Sequence, residues 1–307
     1  MTTIVVGAGV MGLATAWHLA RAGEAVTVLE QGPIPNPLAA SWDSHRLIRA
    51  LYPNSPGYTR MALDAYAAWD EVWAAAGVRH LVLRSFTAVY GARGQNPSFL
   101  TEDKRPDSGS RLAWVRDKAE AEEHAFSFSR RYPGLGVTVL RFATLLGPGV
   151  HSFYTRLLSK RAVAVLLGYD PLLQLLHPDD ALEAAMLALA QGPSQVVNVV
   201  PRTPLTLLTA LHLADRVTLP VPHAVAYPLA ELWWGTGVGE APAGFLDYAR
   251  FPFVADGAKA RRTLGFEPRY TSRQALEAFL TYRYPETRRP ADAEPEPAEA
   301  GAGEIGA

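Results

Sequence analysis

The sequence predicts an α/β protein: a doubly wound parallel sheet with a smaller C-terminal subdomain and a disordered tail. Three observations carry this. Short β-branched apolar runs alternate with helical stretches along most of the chain. A glycine-rich turn joins the first run to the first helical stretch, and the last residues are dominated by Pro, Ala, Glu and Gly. Strands alternating with helices at this spacing imply a parallel sheet covered on both faces.

Taken in order, 3–7 (TIVVG) reads as a buried strand ending in glycine. A helix over 10–22 is stopped by Gly23, and 25–30 (AVTVLE) is a second strand. Residues 31–57 hold five prolines and read as loop. Met61, Ala65, Trp69 and Val72 share one stripe of a helix over 58–76, which Gly77 ends. A strand at 80–84 is followed by a polar loop at 91–110, a helix over 111–131 and a strand at 137–141. Next come a helix over 178–191, a strand at 195–200, and helical segments near 256–264 and 272–283. From about residue 285 the composition cannot bury enough apolar surface to offset ordering entropy, so a disordered tail is expected. The divisions are a nucleotide-binding unit with one extra helix (1–76), the rest of the core (77–165), a mixed core and substrate subdomain (166–284) and the tail (285–307).

Composition narrows the function. The chain has 307 residues, a formal net charge of −1 and 49% hydrophobic residues. No basic run marks a polyanion partner, so nucleic acid is not expected. Cysteine is absent, which excludes disulfides, thiolate metal sites and a cysteine nucleophile. The opening MTTIVVGAGV lacks a basic n-region and reads as a strand, not a leader. No apolar stretch of about 18 residues suggests a membrane span. A cytoplasmic protein is expected.

The chemistry-bearing motif is Gly7-Ala8-Gly9-Val10-Met11-Gly12 between the first strand and helix. Gly7 permits the tight turn, Gly9 lets the backbone approach a pyrophosphate, and Gly12 lets helix and strand pack closely. The N–H groups of Val10 and Met11 open the helix, whose positive dipole end favours phosphate. Glu30, 18 residues after Gly12, is placed to accept hydrogen bonds from a ribose diol. It would repel a 2′-phosphate, so NAD or FAD is expected and NADP disfavoured. The strand, helix, second strand and acid together make this more than a lone GxGxxG.

Two resemblances follow. The first 75 or so residues, TIVVGAGVMGLATAWHLARAGEAVTVLEQ with SWDSHRLIR and the helix YTRMALDAYAAWDEVWAAAG, resemble FAD-dependent amine oxidases of the D-amino-acid oxidase and sarcosine oxidase type. In that family the Glu30 position holds the adenosine ribose, and the loop carrying Ser41, His45 and Arg46 passes the flavin. Residues 77–283 resemble instead the extended short-chain dehydrogenases, which include NAD-dependent epimerases and dehydratases. HLVLRSFTAVYG, WVRDKAEAEE, VTVLRFATLLGPG, LLGYDPLLQLLHPDDALEAAMLAL and KARRTLGFEPRYTSRQAL carry this likeness. It implies a Rossmann-like core, NAD, a small-molecule substrate such as a nucleotide sugar, and a homodimer formed through the Lys118 helix. The chain reads as a chimera joined near AAAGVRHLV, with the strand at 80–85 expected beside the first strand.

In the family resembled, a Ser or Thr works with Tyr-x-x-x-Lys to move a proton while the cofactor takes hydride. Here Phe86 holds the Ser/Thr position, flanked by Ser85 and Thr87, and Trp114 holds the Tyr position. Only Lys118 remains, and Thr87 or Tyr90 is the available substitute. The implied catalytic residues are therefore Lys118, Thr87 and Tyr90, in a degenerate triad; a catalytically silent binding module is the alternative. No metal site is expected: in His177-Pro178-Asp179-Asp180, an aspartate is read as a helix cap. Trp233, Trp234 and Tyr227 read as core or substrate-domain wall. Arg141 reads either as structural or as facing a phosphate.

Overall fold

The computed structural model describes residues 2–6, 10–30, 32, 79–191, 194–237 and 241–285. The glycine turn at 7–9, the loop and helix expected over 31–76 (Gly32 apart) and the tail beyond 285 lie outside the described residues. The chain divides into two compact units, Met1–Ala68 and Trp69–Ala307.

In the first unit, β1 (Thr2–Val6) and β2 (Ala25–Leu29) run parallel, in register from Thr2↔Ala25 to Val6↔Leu29. Helix α1 (Val10–Arg21) makes the crossover. It ends on Gly23, at φ +85°, with the Glu24 N–H donating to the Leu19 carbonyl at 3.0 Å and the Gly23 N–H to Ala20 at 3.1 Å. That left-handed stop is one a side chain would resist. Val5, Val26 and Val28 are half-buried, whereas Ile4, Val6 and Leu29 are 59%, 81% and 51% exposed. Among the described residues, the side chains on one face of this ladder are thus more buried than those on the other.

The second unit is built on a parallel sheet of order β3-β4-β9. β3 (His80–Phe86) pairs with β4 (Gly136–Phe142) from His80↔Gly136 to Phe86↔Phe142. β4 pairs with β9 (Gln195–Val199) from Thr138↔Gln195 to Phe142↔Val199. β4 is central and buried on both faces. Val137 and Val139 pack with Ala125 and Phe128 of helix α2 (Ala113–Arg131), while Leu140 and Phe142 join the main core. This is why apolar residues stand on both of its faces instead of alternating with solvent-facing ones, Thr138 and Arg141 being buried polar exceptions. Helix α4 (Pro178–Gln191) starts with proline at a position whose N–H needs no partner.

The remaining elements form smaller ladders. β5 (Thr144–Leu145) pairs parallel with β8 (Leu175–Leu176), and β6 (Ala162–Leu166) parallel with β11 (Val217–Val221). β7 (Leu172–Leu173) runs antiparallel to β10 (Leu205–Thr206). Between them lie α3 (Phe153–Ser159), α5 (Leu207–Leu213) and α6 (His223–Gly235). Helices α7 (Ala258–Leu264) and α8 (Ser272–Arg283) close the chain. A capping box on Thr271 and Gln274 starts α8.

The α/β class and the parallel strands are as the sequence predicts. Within the first unit β1 pairs with β2, and within the second β3 pairs with β4; the expected place of the strand at 80–85 beside β1 is a relation between the two units and stays an expectation. The short ladders of the second half escape sequence reading because two-residue strands carry no periodicity. No helix among the described residues is long and apolar enough to cross a membrane.

Candidate functional site

The nucleotide-binding signature lies in the first unit. Parallel in-register pairing brings the ends of β1 and β2 level, so Glu30 follows the Val6↔Leu29 pair at the edge where α1 begins. The first turn of α1 has no acidic side chain, so nothing there neutralises the positive helix end. Glu30 Oε1 accepts the Gly32 N–H at 3.3 Å, which folds the chain back just after the strand. Gly12 lies within α1, half-buried; Gly7 and Gly9 fall outside the described residues, as do the side chains of Val10 and Met11. The backbone frame and the acid thus suit an adenine dinucleotide.

The catalytic residues implied by the second resemblance lie in the second unit, Thr87 and Tyr90 on one 3-10 turn and Lys118 on α2, which packs against that turn. Thr87 begins a 3-10 turn (Thr87–Tyr90) that leaves β3, and it lines an apolar cleft of about 180 Å³. Lys118 is half-buried on α2 and does not line that cleft. Burial, and then repulsion from Arg84, hold its ammonium below the ordinary lysine value, against the attraction of Glu122 and Asp117.

Tyr90 requires a correction. It is fully buried, its hydroxyl donates to Asn198 Oδ1 at 2.7 Å, and the Arg141 guanidinium lies 4.6 Å from its ring centre. Burial pushes its phenol up from the ordinary value. A hydroxyl already committed to a buried amide cannot exchange protons with a substrate, so Tyr90 is a core residue.

The two replaced positions meet. The rings of Phe86 and Trp114 are 5.1 Å apart between centroids, and Trp114 also packs on Phe245 and Tyr248 at 6.2 and 5.8 Å. Where the resembled family carries two hydroxyls, this chain carries two aromatic side chains in contact. Neither can take or give a proton usefully.

Arg141 is structural. Its Nη2 donates to Glu122 Oε2 at 2.5 Å and its Nε to Oε1 at 3.1 Å, with side chains 3% and 4% exposed. Ser85, beside the replaced position, donates to the same Glu122 at 2.6 Å. Sequence reading missed this network. The available signal was Glu122 falling on the buried stripe of α2, with Val115, Ala119, Ala125 and Phe128.

Two further readings change. Asp179 and Asp180 lie in the first turn of α4 and neither is its cap. Instead His177 Nδ1 accepts the Asp179 N–H at 3.3 Å, and its ring stacks on Tyr270 at 3.9 Å. Asp180, fully buried, accepts the N–H groups of Arg269 and Tyr270 at 2.9 and 3.1 Å. Among the described residues no cluster suited to a metal occurs. Trp233 and Trp234 are 53% and 47% exposed on α6, which buries none of its residues, so they are not core.

Comparison with known proteins finds both resemblances. Residues 2–140 match the family model described as FAD dependent oxidoreductase, a span that runs beyond the first 75 residues and through β3 and α2. Peroxisomal sarcosine oxidase of Mus musculus is 38% identical over 76 residues, 25% of this chain and 19% of that protein. An uncharacterised protein of Mycobacterium tuberculosis is 30% identical over 222 residues, 72% of this chain and 58% of that protein. This chain therefore spans little more than half the length of that relative. Among solved structures, MoeE5 in complex with UDP-glucuronic acid and NAD is 21% identical, with a TM-score of 0.58 over 92% of this chain and 98% of that one. The UDP-glucose 4-epimerase of Thermotoga maritima with UDP-glucose is 20% identical, with a TM-score of 0.55 over 94% of this chain and 100% of its own. The chain thus joins an N-terminal match to the FAD-dependent oxidoreductases with the fold of the epimerases and dehydratases.

Proposed function

We propose that this chain is an adenine-dinucleotide-binding protein of atypical epimerase and dehydratase type whose own proton relay has been replaced. The observation that carries the reading is the parallel β1–α1–β2 unit, with an acid-free helix start and Glu30 at the same edge. Gly7, Gly9, Val10, Met11 and Gly12 would hold the pyrophosphate, and Glu30 the ribose. Bound NAD would supply hydride transfer, or bound FAD two-electron oxidation. NADP is disfavoured by the charge of Glu30.

The contact between Phe86 and Trp114 supports the loss of the relay. Lys118 stays as a positive charge on α2 with no tyrosine four residues before it, and Thr87 is the hydroxyl next in sequence to the replaced Phe86 that lines the cleft. The substrate is a small molecule, and the fold favours a nucleotide sugar. Nucleic acid and membrane are not partners; a cytoplasmic homodimer formed through α2 completes the proposal. The second reading, a flavin-dependent amine oxidase, is favoured by the family match over 2–140.

Thermal unfolding of the purified chain tests this. NAD or FAD, and not NADP, is expected to raise Tm, because a ligand that binds only the native state must stabilise it. Yellow protein that releases FAD on denaturation would select the oxidase reading over NAD. If neither dinucleotide raises Tm, the proposal fails. With UDP-glucose and NAD, no absorbance at 340 nm should develop; steady NADH formation would show that the relay survives.

A further inference from the structure

The cleft beside Thr87 differs in chemistry from a site built for sugar. Its walls include Phe86, Trp114, Phe142, Phe245 and Phe253, and among the described residues no charged side chain lines it. A sugar ring brought here would lose water from several hydroxyls with few partners in exchange, and an ion would lose its hydration with no counter-charge. An aromatic ring loses nothing polar and gains offset or edge contacts with Trp114 and its neighbours.

The polar atoms that do border the cleft are hydroxyls. Tyr248 is occupied, donating to the Ala88 carbonyl at 2.7 Å. Thr87, Thr144 and Tyr154 also line it, and among the described residues no side-chain hydrogen bond holds their hydroxyls. A cavity of about 150 Å³ accommodates benzene; this one, at about 180 Å³, has room for one to two fused rings.

We infer that this cleft binds a neutral, planar aromatic molecule of one or two rings bearing a single hydroxyl or carbonyl group, which pairs with the free hydroxyls of the wall. The inference goes beyond dinucleotide binding and does not depend on it, because the described lining residues all belong to the second unit.

Calorimetry on the full chain, without dinucleotide and then with NAD or FAD, uses 1-naphthol, naphthalene, 1-naphthoate and UDP-glucose as probes. The two neutral aromatics should bind with Kd at or below about 1 mM. The carboxylate should bind at least about tenfold more weakly than 1-naphthol, having no cation to meet. Tyr154→Phe keeps the ring and removes its hydroxyl, so it should weaken 1-naphthol by about fivefold and leave naphthalene unchanged. Thr144→Phe should fill the cleft and abolish binding of both; should that variant not fold, the Tyr154→Phe split still decides. Failure of the neutral aromatics to bind folded protein overturns the inference, as does equal binding of 1-naphthoate or displacement of 1-naphthol by UDP-glucose. Aromatic binding without a Tm rise from NAD or FAD would sink only the dinucleotide proposal, and the converse pattern only this one.

Discussion

Replacing Glu122 by leucine should be among the most destabilising single changes in the second unit. Glu122 Oε1 and Oε2 take Arg141 Nε at 3.1 and 3.2 Å, Nη2 closes on Oε2 at 2.5 Å, and Ser85 adds a hydroxyl at 2.6 Å. Both charged side chains are under 5% exposed (3% and 4%), so water cannot take over when one is removed. Stranding a buried partner of this kind costs about 3–5 kcal/mol, a large share of a typical stability of about 5–15 kcal/mol. One Arg141 nitrogen, Nη1, is already without a hydrogen-bond partner, and the Tyr90 ring 4.6 Å away is a weaker support for the guanidinium than a carboxylate. Glu123, the next residue, pairs with Arg130 at 2.8 Å with 72% and 64% exposure; Glu123→Gln should change stability immeasurably. The double variant Glu122→Leu/Arg141→Met should recover most of the loss, because two apolar groups need no partner. Urea unfolding followed by circular dichroism measures the unaltered chain, these three variants and Arg141→Met. A Glu122→Leu loss below about 1 kcal/mol would refute the reasoning, and so would a double variant no better than the sum of its singles.

Three other outcomes follow from the geometry. Lys118 is held below its ordinary value of 10.5 by burial and then by Arg84, so the native chain binds fewer protons than the unfolded one between the depressed value and 10.5. Its contribution to stability rises with pH through that window; Lys118→Met should raise Tm at pH 7, with the gap closing as pH approaches 10.5, and identical pH profiles would contradict this. Asp180→Ala strands the N–H groups of Arg269 and Tyr270 and should cost about 3 kcal/mol, read by urea midpoint, with hydrogen exchange faster at those two amides; unchanged exchange would deny the anchor. Glu30→Gln should cut affinity for NAD or FAD by about tenfold in calorimetry while leaving the melting temperature of the ligand-free protein within a degree or so; undiminished affinity would remove Glu30 from the ribose site.

Much of the fold was legible in the residues. Local signals located β1, α1 and β2, the helix over 178–191 and the closing helix, because glycine stops and apolar runs act within a few residues of themselves. The glycine loop and Glu30 belong to the same class of signal. The replacement of two hydroxyl positions of the resembled family was legible too, since Phe86 and Trp114 are identities and not geometries.

What the sequence determined by itself, then, is a set of elements, a dinucleotide signature and two missing hydroxyls. Tertiary structure decided which polar side chains work as framework. Tyr90 reaches Asn198 across 108 positions, and Arg141 reaches Glu122 only because β3, β4 and α2 converge. Those pairings are between residues remote in the chain, and each exists because a buried polar group must find a partner wherever packing brings one. No local pattern encodes that choice, which is why Tyr90 looked like a proton donor until its neighbours were in place.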